Sequence, residues 1–425
     1  MKAADTKGGR APGAGALGDL RVLELTAGMA GPWVGRFMAY CGAEVIKAES
    51  RDYPDVTRLY VHPRAPERGP QEDISPWFTD WNAGKRFVAL NLSKPRAVEL
   101  CKHIVALSDV VVANYAAGVL EKLGLDYSAL RRVRPDLIML CSTGYGDSGP
   151  NRRYVTWGPN IEALCGSSSL SGFPERECTV TQYAYPDALS AMHGLFAVLC
   201  ALDHRARTGE GQYIDLAQYE VMVSALGLPF MDALANAREP TRPGNGALDA
   251  APQGCFRCAG DDRWCALSIR TDEEWHVLCR TIGRADAAGD PRFATRAGRL
   301  VHAGEIAALV EAWTHERDPY EVMDVLQRAG IAAGVVQNVE DQLRNDRQLV
   351  ARNFFEHVFH EKKGDVLATG IPLGLTGTPG ATGKSGSAVG EDNLYVFGTL
   401  LGMSSDEIAR DVESGAIEAP RSAAL

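Results

Sequence analysis

Tyr183-Ala-Tyr-Pro-Asp-Ala-Leu-Ser-Ala-Met-His193 sets one carboxylate, Asp187, directly after a proline and at the head of an apolar run, Ala188 to Leu202. Proline suits a first helical turn, and a carboxylate there faces unpaired N–H groups and the positive end of the helix dipole. Two chemistries fit this placement. The bland one is a helix cap. The sharper one is an oxygen nucleophile, because a carboxylate with an ordinary pKa of about 3.9 is charged at neutral pH, and the helix start keeps it so when partly desolvated. The apolar run lacks a polar face, which predicts a buried helix. His193, six residues in, is expected as a satisfied core histidine rather than a base. Basic residues His204, Arg205 and Arg207 close the helix before Thr208-Gly-Glu-Gly-Gln-Tyr-Ile-Asp215, read as a stop, a turn and a short strand.

Other stretches carry weaker chemical signals. Gly28-Met-Ala-Gly31 follows an apolar strand and precedes Glu49 at the spacing of a dinucleotide site, but it is not G-x-G-x-x-G. An NAD-dependent dehydrogenase is therefore a disfavoured alternative to a phosphate-binding or helix-packing turn. Cys255-Phe-Arg-Cys258 has no second pair at zinc spacing, so no metal is expected. Thr378-Pro-Gly-Ala-Thr-Gly-Lys-Ser385 misses the phosphate-loop pattern by one position and reads as a surface loop.

The elements that must position these groups follow from periodicity. Arg21–Thr26 and Ala43–Glu49 read as buried strands flanking a helix that contains Pro32, a βαβ unit, and Asp109–Ala113 and the stretch from Asp136 add further strands. The fold class is α/β, with a Rossmann-like parallel sheet. Asn114-Tyr115 and Gly144-Tyr145 end two of its strands, where such sheets place ligands. Residues 52 to 80, rich in proline and charge, read as a long loop. Past Glu220 a helical pattern breaks at Glu239-Pro-Thr-Arg-Pro-Gly-Asn-Gly246, and a strand at Trp264–Ile269, a capping box at Thr271–Glu274 and a helix from Asp318-Pro319 describe a smaller α+β domain. Phe354 to Leu375 reads as a hairpin. The expected division is a floppy leader over 1–16, the first part of the large domain over 17–225, a linker and small domain over 226–330, and a return to the large domain with a C-terminal tail over 331–425.

The chain has 425 residues, 45% hydrophobic, with a net charge of −10 and ten scattered cysteines. That size supports two cores. The negative charge argues against nucleic acid or an anionic membrane as partner, and no run of eighteen apolar residues is apparent that would cross a bilayer. Cysteines without a framework, and no signal core at the start, point to the cytoplasm.

The segment YPDALSAMHGLFAVLCALDHRARTGEGQYIDLAQYE closely resembles the signature of the class III CoA-transferases, the formyl-CoA transferase and carnitine CoA-transferase family. Arg207, Thr208, Gly209, Gly211, Gln212, Ile214, Asp215 and Glu220 fit its second half. Thr26, Ala30, Gly31, Pro32, Gly42, Ala43, Val45, Ile46, Lys47 and Glu49 fit the family's opening motif, and Asn82, Lys85 and Arg86 a later one. The likeness extends over residues 17 to 400 or so. It implies that Asp187 is the catalytic nucleophile. It also implies that coenzyme A, carried as a thioester substrate and not as a permanent cofactor, lies along Ala27, Met29, Ala30, Arg51, Asn114, Tyr115, Lys122, Gly144 and Tyr145. An interlocked ring-like dimer is implied as well, as a homodimer or a heteromer with a homologous subunit.

In such an enzyme the Asp attacks an acyl-CoA to give an aspartyl anhydride, then an aspartyl-CoA thioester that passes CoA to an acceptor acid. Succinyl-CoA is the first donor to expect. Met29, Trp157 and Tyr185 suggest an acceptor with aryl bulk, such as benzylsuccinate, so the nearest likeness is to succinyl-CoA:benzylsuccinate transferases. Pro243-Gly-Asn-Gly-Ala247 is the candidate closing loop. The family's α-methylacyl-CoA racemases use a His where this chain has Trp157, and no His occurs between His103 and His193. That disfavours proton exchange, which needs two acid–base groups. An inactive scaffold is disfavoured by Asp187 itself.

Overall fold

The computed structural model describes residues 15–60 and 75–419. All but the last two residues of the expected leader, and the end of the tail, lie outside them. The first half runs β1 (Arg21–Leu25), α1 (Ala30–Tyr40), β2 (Glu44–Glu49), α2 (Pro76–Trp81), β3 (Arg86–Ala89), α3 (Pro95–Ala106), β4 (Val110–Ala113), α4 (Val119–Leu123) and α5 (Tyr127–Val133). It continues through β5 (Ile138–Thr143), α6 (Gly158–Leu164), α7 (Ser167–Leu170), α8 (Tyr185–Thr208) and β6 (Tyr213–Ala217). The helix α2 stands where a loop was expected, started by Pro76 at its first position.

The six strands form one parallel sheet in the order β3-β2-β1-β4-β5-β6, the order of a doubly wound dinucleotide fold. Its strands read as continuous apolar runs because both faces are covered. Leu23, Ile46, Val88, Val111 and Met139 pack on one side with α3, while Val22, Val45, Val110, Ile138 and Leu140 pack on the other with Val34, Met38, Ala191 and Val198 of α1 and α8.

The chain divides into two compact units. Of the described residues, one comprises 15–60, 75–167, 181–230 and 350–419, so it draws on both halves of the chain, and the other comprises 168–180 and 231–349. The second unit holds an antiparallel sheet of β7 (Gln253–Arg257), β8 (Trp264–Ser268) and β9 (Ala332–Val335). Because β9 pairs with β8, Cys265 opposite Val335, the chain leaves this unit near residue 350 and not at 331. The Thr271 capping box forms as expected. In the first unit, β10 (Phe355–His360) and β11 (Gly364–Thr369) make the expected hairpin. The Walker-like stretch is the loop expected, with Thr378, Pro379, Ala381 and Gly383 exposed and Thr382 and Ser385 turned inward.

Three expectations for α8 are corrected. The helix buries one stripe, Ala191, Gly194, Val198 and Ala201, while Phe196 and Leu199 are exposed in the single chain. Apolar character alone did not reveal which side meets the sheet. By length and composition alone α8 is also long and apolar enough to cross a membrane, which a search for an unbroken apolar run does not register, although its small residues let it lie on β5, with Gly194 against Leu140. His193 is exposed and not in the core, its Nδ1 2.8 Å from the Leu189 carbonyl.

Under the β1–α1 loop lies a lattice of fully buried charges. Lys47 pairs with Asp55 at 3.0 Å, and Lys85 with Glu24 at 2.9 Å. Lys47 also donates to the Thr26 carbonyl at 2.7 Å, and Lys85 to those of Pro32 (2.7 Å) and Asn82 Oδ1 (2.9 Å). Burial pushes the Lys85 ammonium down to about 8, with Glu24 pulling the other way. Lys85→Met should destabilise the fold by about 3–5 kcal/mol, because it strands the Glu24 charge in the interior. Denaturant unfolding would read this, and Glu24→Gln combined with Lys85→Met should recover part of the loss.

Candidate active site

The loop between β1 and α1 is held from three sides. The Asn114 side chain accepts from the Ala27 N–H at 2.9 Å and donates back to the Ala27 carbonyl at 2.7 Å. Asp55 accepts from the Gly28 N–H at 3.0 Å, and Lys47 holds the Thr26 carbonyl. With its neighbours occupied, the Ala30 N–H at the start of α1 points to another partner, the Asp187 carboxylate.

Asp187 is the third residue of α8 and Ala184 is the cap, so the carboxylate is not spent on capping. It also accepts from its own backbone N–H. A third helix start comes close, since a Cβ on Gly158, the first residue of α6, would lie 2.8 Å from Asp187 Oδ2. Only glycine leaves the carboxylate that space. Half-buried, Asp187 is pushed up to about 6 by desolvation, against the pull of the two N–H donors. The sequence reading had the helix start keeping it ionised when partly desolvated. Burial wins, yet the group is still mostly ionised at pH 7.

A cavity of about 220 Å³ opens over Asp187 and is lined by Ala27, Asn114, Tyr115, Gly144, Trp157 and Gln218, among others. Of the residues expected from sequence, Ala27, Asn114, Tyr115 and Gly144 share it with Asp187, while Ala30 touches the carboxylate from below. Gly144 is required here because a Cβ would fall 2.2 Å from the Thr156 hydroxyl. Tyr145 stands back, its ring 5.9 Å from that of Tyr154, which does line the cavity. Met29 occupies the N-cap position of α1 outside the lining.

An adjoining apolar cavity of about 360 Å³ shares Ala27 and Tyr115 and reaches Ser50, Tyr53, Leu90, Val119 and Leu123. Arg51, next to it, is bound to Glu418 (3.6 Å) and the Val389 carbonyl (3.1 Å), and Lys122 is exposed on α4. Neither approaches Asp187's cavity.

Sequence reading missed Asp55, Ser142, Thr143, Arg152, Gly158 and Gln218. Ser142 and Thr143 were legible only as the end of a strand, and Asp55 and Arg152 as loop charges without a partner in sequence.

An ionised carboxylate in a small cavity beside a larger apolar one, at the carboxyl end of a parallel sheet, defines an acyl- or group-transfer enzyme of the doubly wound class. The chain belongs to CoA-transferase family III, whose family model matches residues 17–393. It is 31% identical over 395 residues to a succinyl-CoA–D-citramalate CoA-transferase from Chloroflexus aurantiacus, covering 92% of this chain and 96% of that one. It is 28% identical over 384 residues to a succinate–glutarate CoA-transferase from Agrobacterium fabrum, covering 90% and 95%. A CAIB/BAIF family protein from Brucella suis has the same fold, with a TM-score of 0.82, 30% identity, and 91% and 100% of the two chains covered.

Since folding raises the Asp187 pKa from about 3.9 to about 6, the native state loses stability as pH rises through that window. Asp187→Asn should therefore melt at a higher temperature than the parent at pH 7 to 8 and at the same temperature near pH 4. Calorimetry across that range checks it.

Proposed function

We propose that this family III CoA-transferase moves CoA from succinyl-CoA to a short carboxylic acid through covalent adducts on Asp187. One observation carries the reading: the Asp187 carboxylate faces a small cavity, supported by the Ala30 N–H. A carboxylate oxygen attacks the thioester carbon and expels CoA thiolate, leaving an aspartyl anhydride. The thiolate adds to the aspartyl carbonyl, releasing the donor acid and forming an aspartyl-CoA thioester. The acceptor carboxylate reverses both steps. The CoA arm would run along Ala27 and Tyr115 into the apolar cavity, and Asn114 would serve by fixing Ala27. For Arg51 to meet CoA phosphates it must exchange its Glu418 contact. Relatives named for succinate, glutarate and citramalate favour aliphatic dicarboxylates. An aryl acceptor such as benzylsuccinate is the second reading, favoured by Tyr154 and Trp157 on the cavity wall, 60% and 56% exposed.

Asp187→Ala should reduce exchange at least a thousandfold, and incubation with succinyl-CoA should give the parent a CoA adduct, lost to hydroxylamine, on the peptide containing Asp187. Normal turnover by the variant would end the proposal. Activity should fall as pH drops below about 6, as Asp187 takes up its proton. Asp147, pushed to about 6 by burial and by Asp215 beside it, titrates in the same range, so Asp147→Asn should keep this limb if Asp187 causes it.

The proposal extends to an interlocked dimer, identical or with a homologous partner. Phe196 on α8, with Leu228 further on in the same unit, gives apolar surface for one. Light scattering that finds a monomer would remove this part.

A further inference from the structure

Asp187 needs a carboxylic acid to arrive at a site that already carries its own negative charge. Among the described residues lining that cavity, Arg152 is the single cation. It sits on the loop after β5, exposed, and its guanidinium donates to the Asp147 carbonyl at 3.2 Å. It forms no ion pair with a carboxylate among the described residues. At the end of β5, Ser142 and Thr143 also line the cavity, with both hydroxyl oxygens closed off from the solvent-accessible surface and without a hydrogen-bond partner among the described residues. The volume, about 220 Å³, is below the ~300–1,000 Å³ of pockets that enclose drug-sized ligands. A short acid fits this space better than an aryl one.

We propose that Arg152 selects dicarboxylic acids by binding the carboxylate remote from the one that reacts at Asp187. This rests on the transferase reading above and adds the residue that reads the second carboxylate. A guanidinium takes a carboxylate in a planar two-bond fork, which fixes both the length and the orientation of the acid. A monocarboxylic acid of equal length would gain nothing from it.

The test uses the full chain and the variants Arg152→Gln and Arg152→Lys. CoA exchange is measured from succinyl-CoA to glutarate and from butyryl-CoA to acetate, with binding of glutarate and butyrate followed separately by calorimetry. Expected for Arg152→Gln is a loss of about ten- to hundredfold in kcat/KM for the dicarboxylate pair, carried mainly by KM, with the monocarboxylate pair within about twofold of the parent. Arg152→Lys should recover part of it. Equal losses for both pairs would overturn the inference, since they would mean that Arg152 serves CoA or the fold. A parent enzyme that exchanges CoA only between monocarboxylic acids would also overturn it while leaving the transferase reading intact. No exchange with any pair would remove the transferase reading. Calorimetry then decides the inference by itself: a preference for glutarate that Arg152→Gln abolishes supports it, and no preference refutes it.

Discussion

A half-buried carboxylate among helix starts is the constraint that organises this protein. Burial disfavours the charge on Asp187, and the N–H groups of Ala30 and of Asp187 itself oppose that penalty. The balance leaves the group near pKa 6, weakly held as an anion and more basic than an exposed carboxylate. A more basic oxygen is a better nucleophile, and one short of hydrogen bonds is less encumbered. The glycine at position 158 is part of the same balance, since any side chain there would press on the carboxylate.

That arrangement holds only if the β1–α1 loop does not move. A loop of small residues has little packing of its own, so its backbone is tied down by polar groups from elsewhere: Asn114 on Ala27, Asp55 on Gly28, Lys47 on Thr26. Two of these clamps, Lys47 and Asp55, are themselves charged and buried and pair with each other, beside the buried pair of Lys85 with Glu24. Buried ion pairs contribute little net stability, because desolvation offsets their attraction. Their use here is positional: they leave the Ala30 N–H at the carboxylate and open the floor of two cavities above the sheet.

Much of the fold was legible because its signals are local. β1, β2, β4 and β5 are apolar runs, the Thr271 box and the Pro319 helix start are short motifs, and the hairpin from Phe355 to Thr369 has its turn in sequence. The misreadings share a cause. Helix α8 is apolar all round, so only its contacts could tell that Ala191 and Gly194 face the sheet while Phe196 does not. His193 falls on the outward side for that reason. The strand at Ala332 was rightly recognised but assigned to the wrong unit, because a strand's partner is not written in its own residues.

By itself the sequence determined a parallel α/β core, a carboxylate in the first turn of a long helix, and a family likeness along most of the chain, all carried by residue types at short spacing. Only the tertiary structure decided that Asn114 serves the loop, that Arg51 faces Glu418, and that Arg152 with Ser142 and Thr143 shares Asp187's cavity. Those outcomes depend on which distant segments meet. A hydrogen bond or ion pair between residues tens or hundreds of positions apart is set by the packing of the whole sheet, and no local pattern encodes it.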